Sequence, residues 1–80
     1  MKFIVCDHKA INLANADDFG ISNNYLVVTT GGGLNAREER AVYATTEELN
    51  DLFNELVKFL ESDKTVFDCD KFLWNYRNNK

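Results

Sequence analysis

A chain of 80 residues, 45% apolar and 28% charged, holds material for one hydrophobic core and not for two, and this composition excludes a disordered polymer. Its formal charge of −4 disfavours long contact with a phosphate backbone and suits a basic protein partner better. Cysteine is sparse, proline is absent, and no apolar run reaches the length of a signal core or a membrane span, so the expectation is free thiols in one soluble, cytoplasmic domain over residues 1–80.

Lys2 to Cys6, "KFIVC", reads as a strand from its aromatic and β-branched content. Ile11 and Leu13 then alternate like a strand, while Ala10, Ala14 and Ala16 suit a short helix. The reading taken is a strand or irregular segment that ends in a turn at "NADDFG". Asn24 to Thr30, "NYLVVTT", is a strand.

Gly31 to Gly33 follow, and then "LNAREERAVYA". Leu34, Ala36, Glu38, Arg40 and Val42 fall on one face of a strand; Asn35, Arg37, Glu39, Ala41 and Tyr43 fall on the other. Charges on both faces predict a hairpin tip in solvent, with Val42 and Tyr43 over the core. A phosphate loop would need Gly-Lys-Ser/Thr and a helix after the glycines, and Leu34-Asn35 stand there instead. The triplet is read as a place where the chain reverses.

Thr45 precedes Glu48 by three residues, the spacing of a capping box. Leu49, Leu52, Phe53, Leu56, Val57 and Leu60 then recur at helical spacing, which predicts a helix from Thr46 to Glu61. Thr65 to Phe67 reads as extended. Asp68 can cap a last helix with Cys69, Phe72, Leu73 and Tyr76 on one stripe and Trp74 off it. The predicted fold is a small α+β domain: an antiparallel sheet of about three strands, with one long amphipathic helix and a short C-terminal helix on one face.

Few residues invite chemistry. Cys6 and His8, two apart, would share a strand face and could form a thiolate–imidazole pair; Cys69 with Asp68 or Asp70 would complete four zinc-type donors. Cysteine is more often simply buried, the ligand set departs from the usual one, and a single histidine gives no hydrolytic triad. "DFG" at Asp18 to Gly20 lacks every other kinase element. No enzymatic activity, cofactor or metal is expected. Surface features point elsewhere. Glu47, Asp51 and Glu55 are spaced by four, so like charges stand in file along one helix face, relieved in part by Lys58. Trp74 and Arg77 are of the types that dominate protein interfaces.

The order of strand, strand, charged hairpin strand, capped helix and short helix, with the opening "MKFI" and the passage "AVYATTEELNDLF", resembles the small phage-encoded anti-CRISPR proteins, the type I-F inhibitors most. The two quoted stretches cover fewer than a quarter of the chain. The resemblance implies a non-enzymatic protein that binds a CRISPR surveillance complex and blocks its access to target DNA. It assigns no binding residue.

The functional expectation is therefore a protein-binding inhibitor or regulator, monomeric or homodimeric, that occludes a basic surface of a larger, nucleic-acid-handling partner. Its contacts are expected from Arg37, Glu38, Glu39 and Arg40 at the hairpin, Asp51 and Glu55 on the helix, and Trp74 with Arg77. The alternatives are an assembly protein that pairs through a sheet edge, and a thiol or metal protein built on Cys6, His8 and Cys69.

Overall fold

Two tight hairpins of the same geometry build the first part of the chain. β1 (Phe3–Cys6) turns through Asp7 and His8, at φ 48° and 64°, into β2 (Lys9–Asn12). β3 (Ala16–Ser22) turns through Asn23 and Asn24, at φ 51° and 66°, into β4 (Tyr25–Thr30). Two central residues with positive φ make a type I′ turn, whose twist matches the strands it joins. The computed structural model describes residues 1–31 and 37–79.

From Ala16 onward the turn expected at "NADDFG" is strand β3 instead, and Asn15 closes a 3-10 turn at Leu13–Asn15. Asp and Gly are tolerated there because β3 is an edge strand, carries a bulge between Ala16 and Asp18, and packs on the rest of the molecule through Phe19. The reversal lies at Asn23-Asn24, residues that accept the left-handed region readily.

β4 pairs antiparallel with β5 (Arg37–Tyr43), Thr30 opposite Arg37, so the chain reverses between them. Gly31 takes φ 92°; Gly32 and Gly33, and the predicted face positions Leu34, Asn35 and Ala36, lie outside the described residues. The fold is α+β, but the single sheet of about three strands is two sheets. β3-β4-β5 is an antiparallel meander. β2-β1-β6 is mixed, because β6 (Val66–Asp68) returns from beyond the long helix and lies parallel to β1.

The long helix, α1 (Thr46–Leu60), starts as its sequence dictates. Thr45 Oγ1 accepts the Glu48 N–H (3.2 Å) and Glu48 Oε1 accepts the Thr45 N–H (3.0 Å). Its buried stripe is Glu48, Leu49, Leu52, Leu56 and Phe59, rotated from the predicted one; Val57 and Leu60 each remain 38% exposed. The rotation follows from α2 (Cys69–Asn78), which packs against α1 and covers the Glu48 and Phe59 flank. Asp68 caps α2 by accepting the Lys71 N–H (2.9 Å). At the other end of α1, Lys2 Nζ donates to the carbonyls of Phe59 (3.3 Å), Ser62 (2.6 Å) and Lys64 (2.6 Å). A cation there offsets the negative end of the helix dipole.

α1 lies against β3, β4 and α2, while α2 lies against β1. One core joins them: Ile4 and Cys6 of β1, Leu26 and Val28 of β4, Leu49, Leu52 and Leu56 of α1, and Cys69 and Leu73 of α2. The helices therefore bridge two sheets rather than cover one. Among the described residues, no helix is long and apolar enough to cross a membrane.

Candidate partner-binding surfaces

The predicted contact residues separate onto distinct surfaces. On β5, Arg37 and Glu38 are exposed. Glu39 pairs with Lys9 of β2 (2.8 Å), and the same Nζ donates to the Arg40 carbonyl (3.0 Å), so one lysine ties the edges of the two sheets together. Glu39 raises the Lys9 pKa by that hydrogen bond, outweighing the cost of desolvation. The Arg40 guanidinium lies 5.1 Å from the Tyr25 ring centre.

Leu26 opposes Val42 and Val27 opposes Arg40, which leaves Ala41 as the extra residue of a bulge. The bulge overturns the expected placement of Tyr43 over the core. Ala41 is buried, whereas Tyr43 is 64% exposed and its ring meets that of Tyr25 edge-on, with ring centres 5.1 Å apart. Tyr25, Arg40 and Tyr43 line a hollow of about 290 Å³ with Asp7 and Asp70. Tyr25 and Tyr43 were missed in the sequence because strict alternation hides Tyr43 in the core.

The second surface runs between the helices. Ring contacts form a ladder from Phe59 to Phe67 (5.7 Å), Phe67 to Phe72 (6.1 Å) and Phe72 to Tyr76 (5.9 Å). Asp51 and Glu55, both half-buried, stand on the flank of α1 that turns toward it, and Tyr76 donates its hydroxyl proton to Glu47 (3.1 Å). The file of carboxylates is thus one wall of a strip whose floor is aromatic. Glu55 accepts from Lys58 (3.3 Å), an exposed pair worth little. A hollow of about 150 Å³ opens at Glu55, Phe59 and Phe67, and one of about 370 Å³ at Phe72 and Tyr76. The sequence shows both the acids and the aromatics; only α2 packing on α1 makes them neighbours.

Trp74 and Arg77 lie on the other flank of α2. Trp74 is 65% exposed, clear of the core, and it stands one turn beyond Asp70. Arg77 donates through Nε to the buried Glu48 carboxylate. That bond, with the Thr45 backbone N–H, pushes the Glu48 pKa down to about 2 despite burial. Arg77 has a structural task as well as an exposed side.

Cys6 and His8 do not share a face. β1 ends at Cys6, which is fully buried, while His8 sits in the turn at positive φ and faces solvent. Cys6 and Cys69 are free, buried thiols. Among the described residues, no three His, Cys, Asp or Glu side chains gather as metal ligands would.

The chain matches no family model, no curated protein and no solved structure.

Proposed function

We propose that this protein is a non-enzymatic binding module that covers a basic surface of a larger protein. The observation that supports it is the strip between the helices, where Asp51 and Glu55 flank an aromatic floor that includes Phe72 and Tyr76. Carboxylates in file steer a basic partner into place, and half-buried aromatics supply apolar contact once it has docked. Trp74, with Tyr43 and Arg40, extends the contact area on the neighbouring side of α2. Covering a basic patch needs no catalytic group. Where that patch binds nucleic acid, covering it inhibits, as the resemblance to type I-F anti-CRISPR proteins implies.

The test is binding to a purified type I-F surveillance complex, and in parallel capture from a host lysate, by the wild-type protein and the Asp51→Lys/Glu55→Lys double variant. Loss of at least tenfold in affinity on charge reversal, with wild-type binding that weakens in salt, supports the surface. Equal capture by both proteins removes it. Failure of the wild-type protein to bind the surveillance complex removes that partner, and the lysate arm then reports whether another basic partner takes its place.

A further inference from the structure

We propose that Cys6 and Cys69 are a disulfide site: a dithiol which the fold holds ready for oxidation to one intramolecular bond by a low-molecular-weight disulfide. The parallel register of β1 and β6 carries the argument. Phe3 pairs with Val66, Ile4 with Phe67 and Val5 with Asp68, so the next step sets Cys6 beside Cys69, where β6 passes into α2. Neighbouring strands lie about 4.8 Å apart, within the roughly 4.4–6.8 Å that Cα atoms span across a disulfide. Both side chains turn into the core, each at 0% exposure. The Asp7 N–H, which follows Cys6, donates to both carboxylate oxygens of Asp70, which follows Cys69, at 3.1 and 3.0 Å. The residues that follow the two cysteines are thus already clipped together.

The two thiols differ in how readily they give up a proton. Cys6 is lowered from the ordinary thiol range by the hydrogen bond from Cys69, with help from the Lys9 ammonium and against burial, Asp70 and Asp7. Cys69 is raised by donating to Cys6, by burial and by Asp70 and Asp68. The Cys6 thiolate attacks one sulfur of the small disulfide and expels the first small thiol, which takes the proton Cys6 gave up. Cys69 then loses its proton and attacks the Cys6 sulfur, breaking the mixed disulfide and releasing the second small thiol, which takes that proton. The protein gives up two electrons and two protons. The oxidant leaves as two thiols. Both sulfurs are buried, so exchange is slow and proceeds through local opening. The bond fastens β1 to the first residue of α2, two points far apart in the chain, and limits the unfolded ensemble accordingly.

The site stands independently of the partner proposed above, and its test uses no partner. Purified, reduced protein is equilibrated in buffers of graded oxidised-to-reduced glutathione ratio, quenched with acid and alkylated. Intact mass, oligomeric state and melting temperature are then read. The expected product is a monomer lacking two hydrogens whose melting temperature is higher by roughly 10 °C or more. Cys6→Ser and Cys69→Ser are each expected to stop at a mixed disulfide with no such rise. The wild-type titration alone decides if either variant fails to fold. Thiols that stay reduced in the most oxidising buffer, a wild-type product that stops at the mixed disulfide, bridged dimers only, or a bridge that leaves the melting temperature unchanged or lowers it would each overturn the site.

Discussion

The two sheets have the same number of strands and are closed in different ways. The β3-β4-β5 meander joins strands that follow one another in the chain, over ladders of six register pairs each, and main-chain bonds hold it. The β2-β1-β6 sheet receives its last strand from beyond α1 and pairs it over only three positions. Side chains complete that closure: Lys2 reaches the end of α1, the Asp7 N–H meets the Asp70 carboxylate, and Arg77 holds Glu48 at the start of α1. A local meander depends little on its neighbours. A sheet assembled across the length of the chain depends on individual polar contacts, because loop closure is costly and a short ladder repays little of it.

Leu52→Ala tests whether the two sheets share one fate. Leu52 is fully buried in α1, which packs on the meander and on α2, so truncation is expected to cost about 2–5 kcal/mol. Far-ultraviolet circular dichroism and the fluorescence of Trp74, the single tryptophan, are expected to report one coincident transition in urea. Separate transitions would mean that the sheets fold independently.

Glu48→Gln loosens α2 from α1 and is expected to cost about 2 kcal/mol at neutral pH, as a hydrogen-bonded charge is lost. The folded-state pKa of Glu48 is depressed from 4.5 to about 2, so its stabilisation is fully present above 4.5 and is lost as pH falls toward 2. The stability difference between wild type and variant should therefore shrink across that window. A difference constant with pH would detach it from ionisation.

Lys2→Met is expected to cost about 1 kcal/mol and to raise amide exchange in β1, β6 and the last turn of α1 before the meander. Uniform exchange would erase the contrast between the sheets. The smallest effects lie in the turns. His8→Gly should stabilise by about 0.5–1 kcal/mol, because histidine bears a strain at φ 64° that glycine does not. Asn23→Gly should change little, since asparagine already accepts φ 51°. Thermal melts of the two variants side by side rank the turns.

Local signals were the legible ones. The Thr45–Glu48 box, the Asp68 cap and the extent of α1 could be read because each rests on residues within a turn of one another. β4 declared itself through "YLVV". β3 did not, because an edge strand tolerates the residues that usually mark a turn, and nothing in "NADDFG" states that it is an edge. Tyr43 was misplaced by the one-residue bulge at Ala41, which alternation cannot express. The candidate surface was legible as residue types alone: the acids of α1 and the aromatics of α2 were visible separately, and their shared strip was not.

Periodicity, capping and turn chemistry determined the helices, the second hairpin strand and the α+β class, since these depend on neighbours a few residues away. Packing across the chain decided the parallel return of β6, the approach of α2 to α1 and the meeting of Cys6 with Cys69. Such contacts draw their free energy from apolar area removed from water wherever the pieces happen to fit, and that fit is a property of the assembled molecule rather than of any stretch within it.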